Sequence, residues 1–414
     1  MISRVKGTQD RIDLTLYNFL IDQARSMLTQ HAFSEIKTPI LEPIELFQRS
    51  LGLHTDVVNK EMYMVTTQHG ETGICLRPEA TASTMRAFFN NSITTQPWNV
   101  FSHGPMFRHE RPQKGRYRQF EQITIESIGA QAIAYDAQLI GMLDHFFQKL
   151  HITNYALLIN YLGSRDDREQ FKQKLATFFD KQTTLPPKIA ALKDTNILRT
   201  FDLKDPASQE LMQKAPVLLD HLSHDSQQEW EQLQNFLDQT SVSYSVDPTL
   251  VRGLDYYNKT VFEFVSSDLG AQSAFCAGGR YDDLAPQLGA KEAVPSIGAA
   301  MGIDRILHLL EHNRDRLQLP AKPTLHAIIP LDPKQHALAL ICAYELRRQN
   351  LHTDVLFDGT SIKSTLRKAN KMDATYVLMI GADEQAQNYI TVKDMANGEE
   401  KSIPQAELVS FLQQ

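Results

Sequence analysis

Two β-patterned stretches, residues 98–109 and 117–128, flank a basic loop, Arg111-Pro112-Gln113-Lys114-Gly115, and this hairpin constrains the chain more than any other feature. Along the second stretch a period of two puts Gln122, Thr124 and Glu126 on one face and Ile123 and Ile125 on the other. A strand divided in this way belongs to a sheet backed by core on its apolar side and lining a wet cleft on its polar side. From Arg108 to Arg118 there are five Lys or Arg against one acid. Taken alone, such a run fits a solvated hairpin tip. The flanking strands add another expectation, because Arg108, Arg116 and Arg118 would bring guanidinium forks onto the sheet, where they could clamp a triphosphate.

Helices and further strands are expected around this hairpin. Leu16, Phe19, Leu20, Ala24, Met27 and Leu28 recur at helical spacing. Thr72, Ile74 and Leu76 alternate before the turn Arg77-Pro78-Glu79, and Thr81 to Phe89 resumes a helical period. Residues 164–241, rich in Lys, Asp, Gln and Leu, read as a helical insertion. Val261 to Val265 reads as a strand, and a helix is expected from about Ser296, carrying Ile303, Ile306 and Leu310. Pro320 and Pro323 mark a linker. Beyond it, strand (Leu325–Pro330), helix (333–349), strand (352–357), helix (361–371) and strand (375–380) predict a small α/β domain with a mainly parallel sheet. Asn397-Gly398 signals a hairpin after it.

Composition narrows the class. With 42% hydrophobic and 22% charged residues the chain is an ordinary globular protein, long enough for two or three domains. Its net charge of −7 means that a nucleic-acid partner would have to be met by local basic patches. Cys75, Cys276 and Cys342 are far apart, so neither a zinc knuckle nor a disulfide framework is expected. His103 and His109 have no further clustered ligands, so no metal role is expected for them. The first ten residues are polar, and no apolar run approaches the length of a membrane helix. A cytoplasmic protein with reduced thiols and no membrane partner is the resulting expectation.

The run Phe107-Arg108-His109-Glu110-Arg111-Pro112-Gln113-Lys114-Gly115-Arg116-Tyr117-Arg118-Gln119-Phe120 resembles the second signature motif of class II aminoacyl-tRNA synthetases, in its histidyl form. Leu250 through Asn258 and Ala277 through Asp282 resemble two signatures peculiar to histidyl enzymes, and the chain as a whole resembles the bacterial-type histidyl-tRNA synthetases. Arg77-Pro78-Glu79 with Thr81 resembles the family's amino-acid-binding turn. Ser34 through Pro39 resembles the first class motif, and Gly298 through Arg305 the third. The resemblance implies a mainly antiparallel sheet flanked by helices in a catalytic domain over 1–320, interrupted by the insertion at 164–241. It also implies an anticodon-binding α/β domain over 324–414. Ala80, Glu121, Asp283 and Asp304 depart from the family pattern, which has glycine, histidine, glycine and glutamate there.

The activity implied is activation of L-histidine with ATP, followed by transfer to the 3′ end of tRNA(His), in a homodimer joined through the first motif. Attack by an already ionised carboxylate on the α-phosphorus needs alignment and positive charge rather than a general base. By resemblance Arg108 and Arg252 act on the α-phosphate and Arg305 on the γ-phosphate, while Glu110 and Arg116 complete the ATP site. Mg2+ is expected with the ATP phosphates, its protein ligands unassigned. Glu79, Thr81 and Gln122 are the expected acceptors for the histidine ammonium group. Glu126 and Tyr257 would address the two ring nitrogens, with Tyr256 and Tyr281 closing the pocket. For Arg252 the residues alone also allow a salt bridge to Asp255 that shapes a turn. Arg111 and Gln113 in the loop, and Lys363 and Arg367 on the C-terminal domain, are expected tRNA contacts; Lys368 and Lys371 extend that stripe. The competing expectation is a catalytically inactive synthetase-like regulatory subunit of histidine biosynthesis, which would have eroded motifs and lack the C-terminal domain.

Overall fold

A computed structural model of the chain describes residues 2–52, 55–358 and 361–413. It divides into two compact units, Met1–Leu319 and Pro320–Gln414. The first is built on an eight-stranded sheet. Its order is Ser34–Glu35, Trp98–Phe107, Gln119–Ile128, Ser296–Gly302, Ala274–Arg280, Asn258–Val265, Ala156–Tyr161 and Ser245–Val246. The inner pairings are antiparallel, and the two short edge strands pair in parallel. Short edges leave little unpaired backbone to recruit another chain.

The amphipathic helices Thr15–Gln30, Ala134–Lys149 and Ile303–His312 contribute to the core on one face of this sheet. Leu20, Leu28, Leu143, Phe147, Ile306 and Leu310 meet Ile123, Ile125, Phe264 and Phe275 there. A second core gathers Phe47, Met85, Ile128, Tyr256 and Tyr281, and it supports the helix Thr81–Asn90. Residues 164–241 carry the helices Arg165–Asp180, Pro187–Lys193, Pro206–Met212 and His224–Gln239, with Phe171, Leu175, Phe179 and Ile189 buried among them. Ser164 and Asp167 cap the first of these reciprocally. Burial disfavours the Asp167 carboxylate, but bonds from Ser226, Ser164 and Ser223 outweigh it and hold the pKa down at about 2.

Three expectations are corrected. The helix expected from Ser296 is a strand as far as Gly302, and the helix begins at Ile303. Ser296–Gly302 sits between two strands with both faces largely covered, so its small residues show no two-residue alternation to read. The polar face of Gln119–Ile128 is also less wet than expected, because Thr124 is 2% and Glu126 1% exposed. Finally, Arg116 and Arg118 lie outside the strand, which starts at Gln119. Arg118 turns to the Glu110 carbonyl, and its backbone N–H donates to Gly7 O.

In the second unit the sheet order is His352–Val355, Leu325–Pro330, Ala374–Ile380, Tyr389–Asp394, Glu400–Pro404. The first three strands are parallel and the last two antiparallel. Alternate residues feed two cores: Ile328, Leu378 and Ile380 pack with Ala343 and Leu346, while Ala327, Ile329, Val377 and Met379 pack with Ala369. Gly398, at φ +77°, turns the final hairpin.

Candidate active site

The centre of the large sheet opens into a cavity of about 410 Å³. Arg108, Arg252 and Arg305, separated by up to 197 residues of chain (305 − 108), all line it. Glu79, Thr81, Gln122, Tyr256 and Tyr257 line it too, as do Glu110 and Arg116. Glu126 and Tyr281 lie behind this wall and join it through hydrogen bonds to Thr81 and to each other.

Different elements aim the three arginines. Arg108 follows the strand Trp98–Phe107; its Nε donates to Pro78 O at 3.0 Å and its guanidinium lies 5.4 Å from the Phe120 ring centre. Burial pushes its pKa down, and Glu61 and Glu79 partly restore it. Arg305 stands in the first turn of Ile303–His312, where Nε donates to Gly115 O at 3.1 Å and Nη1 to Ala274 O. Burial lowers its pKa as well, and so do Arg116 and Arg108. Arg252 pairs with Glu263 through Nη1, and its guanidinium carbon lies 5.5 Å from the Tyr257 ring centre. Burial opposes its charge most strongly, but Glu263 together with Tyr257, Tyr256 and Asp202 outweighs it and raises the pKa. Its Nε is buried without a hydrogen-bond partner among the described residues. The salt bridge considered for Arg252 and Asp255 gives way to the Glu263 pair, and Asp255 accepts from Asn196 Nδ2 at 2.8 Å.

A polar nest surrounds Glu126. Thr81 Oγ1 donates to Oε1 at 2.6 Å and Tyr281 O–H donates to Oε2. Burial dominates these two bonds and pushes the Glu126 pKa up to about 8. A Cβ on Gly298, directly across the ladder, would collide with the same carboxylate. Glycine is therefore the residue that leaves Glu126 its place. Gly279 has a similar role, since an added Cβ would lie 2.5 Å from Thr260 O and 2.9 Å from Tyr257 Cδ1. Tyr256 stacks obliquely on Tyr257 at 4.5 Å and edge-on to Tyr281 at 5.8 Å. Glu79 accepts from the backbone N–H groups of Thr81 and Ala82 at 2.6 and 3.0 Å, which caps the helix Thr81–Asn90. Burial raises its pKa against those bonds.

The basic loop closes on itself. Gln113 and Arg116 exchange backbone hydrogen bonds at 3.1 and 2.9 Å, and Arg116 pairs with Glu110. Arg111 and Gln113 are exposed at its tip. In the other unit, Lys363 and Arg367 share a shallow groove with Leu366, Asn370 and Lys371; Lys368 lies outside that groove.

The four departures find local accommodation. Ala80 holds φ −115°, which a side chain tolerates. Glu121 accepts from Tyr17 O–H at 2.5 Å. Asp283 accepts from Arg168 Nη2 at 3.3 Å. The shorter Asp304 draws in the N-terminal segment, accepting from Arg11 at 2.8 Å and from Gln9. Glu263 was not anticipated. Its only signal was a single acid in the apolar strand Val261-Phe262-Glu263-Phe264-Val265.

Residues 16–306 match the histidyl-tRNA synthetase family, and residues 326–414 match the anticodon-binding-domain family. A histidine–tRNA ligase of Hydrogenovibrio crunogenus is 39% identical over 96% of this chain and 93% of its own length. One from Syntrophotalea carbinolica is 39% identical over 97% of this chain and 96% of its own length. The crystal structure of apo Staphylococcus aureus histidyl-tRNA synthetase superposes with TM-score 0.81, at 28% identity and full coverage of both chains. A Bacillus halodurans protein described as an ATP phosphoribosyltransferase regulatory subunit/histidyl-tRNA synthetase superposes with TM-score 0.65 at 17% identity, covering 92% of this chain and 99% of that one. At that identity the likeness shows the fold alone.

Proposed function

The chain belongs to the histidyl-tRNA synthetase family, and from that premise we propose a division of labour among the residues around its cavity. It joins histidine to tRNA at the expense of ATP, forming histidyl-adenylate and pyrophosphate before the transfer. The residues over 1–320 would carry the chemistry, with 164–241 as an insertion, and those over 324–414 would meet the anticodon. Homodimerisation through the region of the first class motif, and a cytoplasmic location, complete the proposal. Among the described residues no helix is long and apolar enough to cross a membrane.

ATP enters with its triphosphate among the three arginines. Arg108 and Arg252 hold the α-phosphate and Arg305 the γ-phosphate, with Glu110 on the adenine side and Arg116 closing the loop. This arrangement stabilises the charge that builds on the α-phosphate oxygens as the histidine carboxylate attacks and pyrophosphate leaves. Among the described residues no group of three or more His, Cys, Asp or Glu is placed to hold a metal ion. Mg2+ would therefore come in on the phosphates of ATP, keeping most of its water and neutralising part of the leaving charge.

Histidine sits deeper. Glu79, Thr81 and Gln122 receive its ammonium group, and Tyr256 and Tyr281 wall the ring. Glu126 accepts from one ring nitrogen and Tyr257 meets the other. Each carboxylate oxygen retains a lone pair beyond those used by Thr81 and Tyr281. A ring N–H adds a third donor and so favours ionised Glu126. An amino acid without ring nitrogens leaves this buried carboxyl unmatched, and polar pockets discriminate strongly in that way.

The observation that carries this reading is the convergence of Arg108, Arg252 and Arg305 on one cavity beside Thr81 and Tyr257. Retention of all three arginines and of the C-terminal unit disfavours the inactive regulatory reading. Histidine-dependent exchange of pyrophosphate into ATP is the test. A folded, pure preparation with no such exchange would overturn the assignment.

A further inference from the structure

We propose that Glu263 is a positioning residue: it fixes the orientation of the Arg252 guanidinium for the α-phosphate and serves as counter-charge to the arginine cluster before ATP binds. The inference rests on the role given above to Arg252. Glu263 lies on Asn258–Val265, between the fully buried Phe262 and Phe264. Its cross-strand neighbours are Ala277 on one side and Leu158 on the other, so neither adjacent strand offers it a cation. A lone acid in such a strand weakens the sheet's apolar packing unless a partner comes from elsewhere. That partner is Arg252, from the loop preceding the strand.

Two contacts set the plane of the Arg252 guanidinium. Glu263 holds Nη1, and the Tyr257 ring lies 5.5 Å from the central carbon. With those edges taken, the buried Nε is left with no acceptor among the described residues, beside a cavity lined by Arg252 and Glu263 alike. A buried donor without a partner is costly and is retained where a ligand supplies the acceptor.

Arg252 disfavours the charge on Arg108, and Arg116 and Arg108 disfavour that on Arg305. Glu263 acts most strongly among the carboxylates on Arg252, and more strongly than Asp304 on Arg305. One carboxylate thus offsets two of three like charges gathered for a polyanion. When ATP arrives its phosphates take over that part, and the geometric role remains.

Glu263→Ala and Glu263→Gln, each alone and combined with Arg252→Ala, test this in the full chain by histidine-dependent pyrophosphate exchange. Glu263→Ala should lower kcat about 10- to 100-fold, less than outright loss of a donor because Arg252 stays in place without its orientation, and the KM for ATP should be unchanged or lower because the cations lose their resident anion. That split separates positioning from general damage, which would raise KM as well. Glu263→Gln keeps an acceptor oxygen for Arg252, so it should recover kcat at least several-fold and carries the test if the alanine variant folds poorly. On the Arg252→Ala background neither change should alter kcat more than about twofold, because residues acting as one unit are not additive. An equal loss on both backgrounds, or a single-variant kcat within twofold of the parent, overturns the proposal. If Arg252→Ala itself exchanges at the parent rate, the role of Arg252 fails first and takes this inference with it.

Discussion

Two arginines near the middle of the sheet face carboxylates, and they have opposite fates. Arg280 ends the strand Ala274–Arg280 and is 1% exposed. Its Nε and Nη2 bond Asp136, its Nη1 donates to Ala130 O at 2.7 Å, and Nη2 also reaches Ala132 O at 3.2 Å. Asp282 supplies a second carboxylate. Burial opposes its charge, but Asp136 and Asp282 outweigh it and raise the pKa. Among the described residues Arg252 has one carboxylate in an ion pair, one aromatic face and a buried Nε with no partner, at the edge of an open cavity. A charge whose donors are all matched by the protein has nothing left for a substrate. A charge left partly unmatched beside a cavity is poised for one.

The contrast breaks if the two arginines respond alike to removal. Arg280→Met should give the largest effect, a loss of stability of roughly 3–5 kcal/mol, because it strands the Asp136 carboxylate in the interior. Urea unfolding would show a lower midpoint, and the residual folded enzyme should retain its KM for ATP. Arg252→Ala should do the reverse. It should slow histidine activation by roughly 10²–10³, about 2.7–4 kcal/mol of barrier, while the unfolding midpoint falls far less than for Arg280→Met, because the Glu263 side chain left behind is 22% exposed at the cavity. Pyrophosphate exchange together with the same urea titration reads both, and near-parent exchange by Arg252→Ala would remove the distinction.

Much of this architecture was legible before any coordinates, for identifiable reasons. The helix Thr15–Gln30 buries Leu16, Phe19, Leu20, Ala24, Met27 and Leu28, the six residues whose spacing announces it. In the second unit the strand Leu325–Pro330 has the expected bounds, since a short apolar run between a proline-marked linker and a turn leaves little freedom. Ser296–Gly302 was not legible. Its Gly298 is dictated by Glu126 on the neighbouring strand, a cross-strand constraint invisible in local periodicity. At the site, residues in contiguous motifs such as Arg77 to Thr81 could be singled out. Glu263 could not, because its meaning comes from Arg252 across a turn and not from its own neighbours. The matched surroundings of Arg280 were equally hidden, since Asp136 lies 144 residues away.

The same comparison extends to carboxyls. Asp136 is buried with a cation, whereas Glu126 is buried with two hydroxyls. Its pKa of about 8, against an ordinary 4.5, means that the folded protein binds a proton the unfolded chain has released. Folded stability should therefore fall as pH rises from about 4.5 to about 8, by an amount on the order of a few kcal/mol. Glu126→Gln removes this slope, so its stability relative to the parent should improve steadily across that window. Its KM for histidine should nonetheless rise roughly 10- to 100-fold, from loss of a charge-assisted bond worth about 1.5–3 kcal/mol. Parallel stability curves for the two proteins between those pH values would show that Glu126 is ionised in the free protein.

Lys363 and Arg367 occupy the far end of the scale, as exposed cations without an ion pair among the described residues. They lie close together along the helix Ile362–Lys371, beside Leu366 and Asn370. Among the described residues no carboxylate holds them and no cavity desolvates them, so the contribution proposed for each toward an RNA backbone would be screened and small. Lys363→Ala should weaken tRNA binding only a few-fold, about 1 kcal/mol or less, and reduce the slope of log affinity against log salt by about one. Activation of histidine, which needs no tRNA, should not change. Titrating tRNA at several salt concentrations reads this directly. A slope equal to the parent's would class Lys363 as a solvated charge, and the basic stripe would then begin at Arg367.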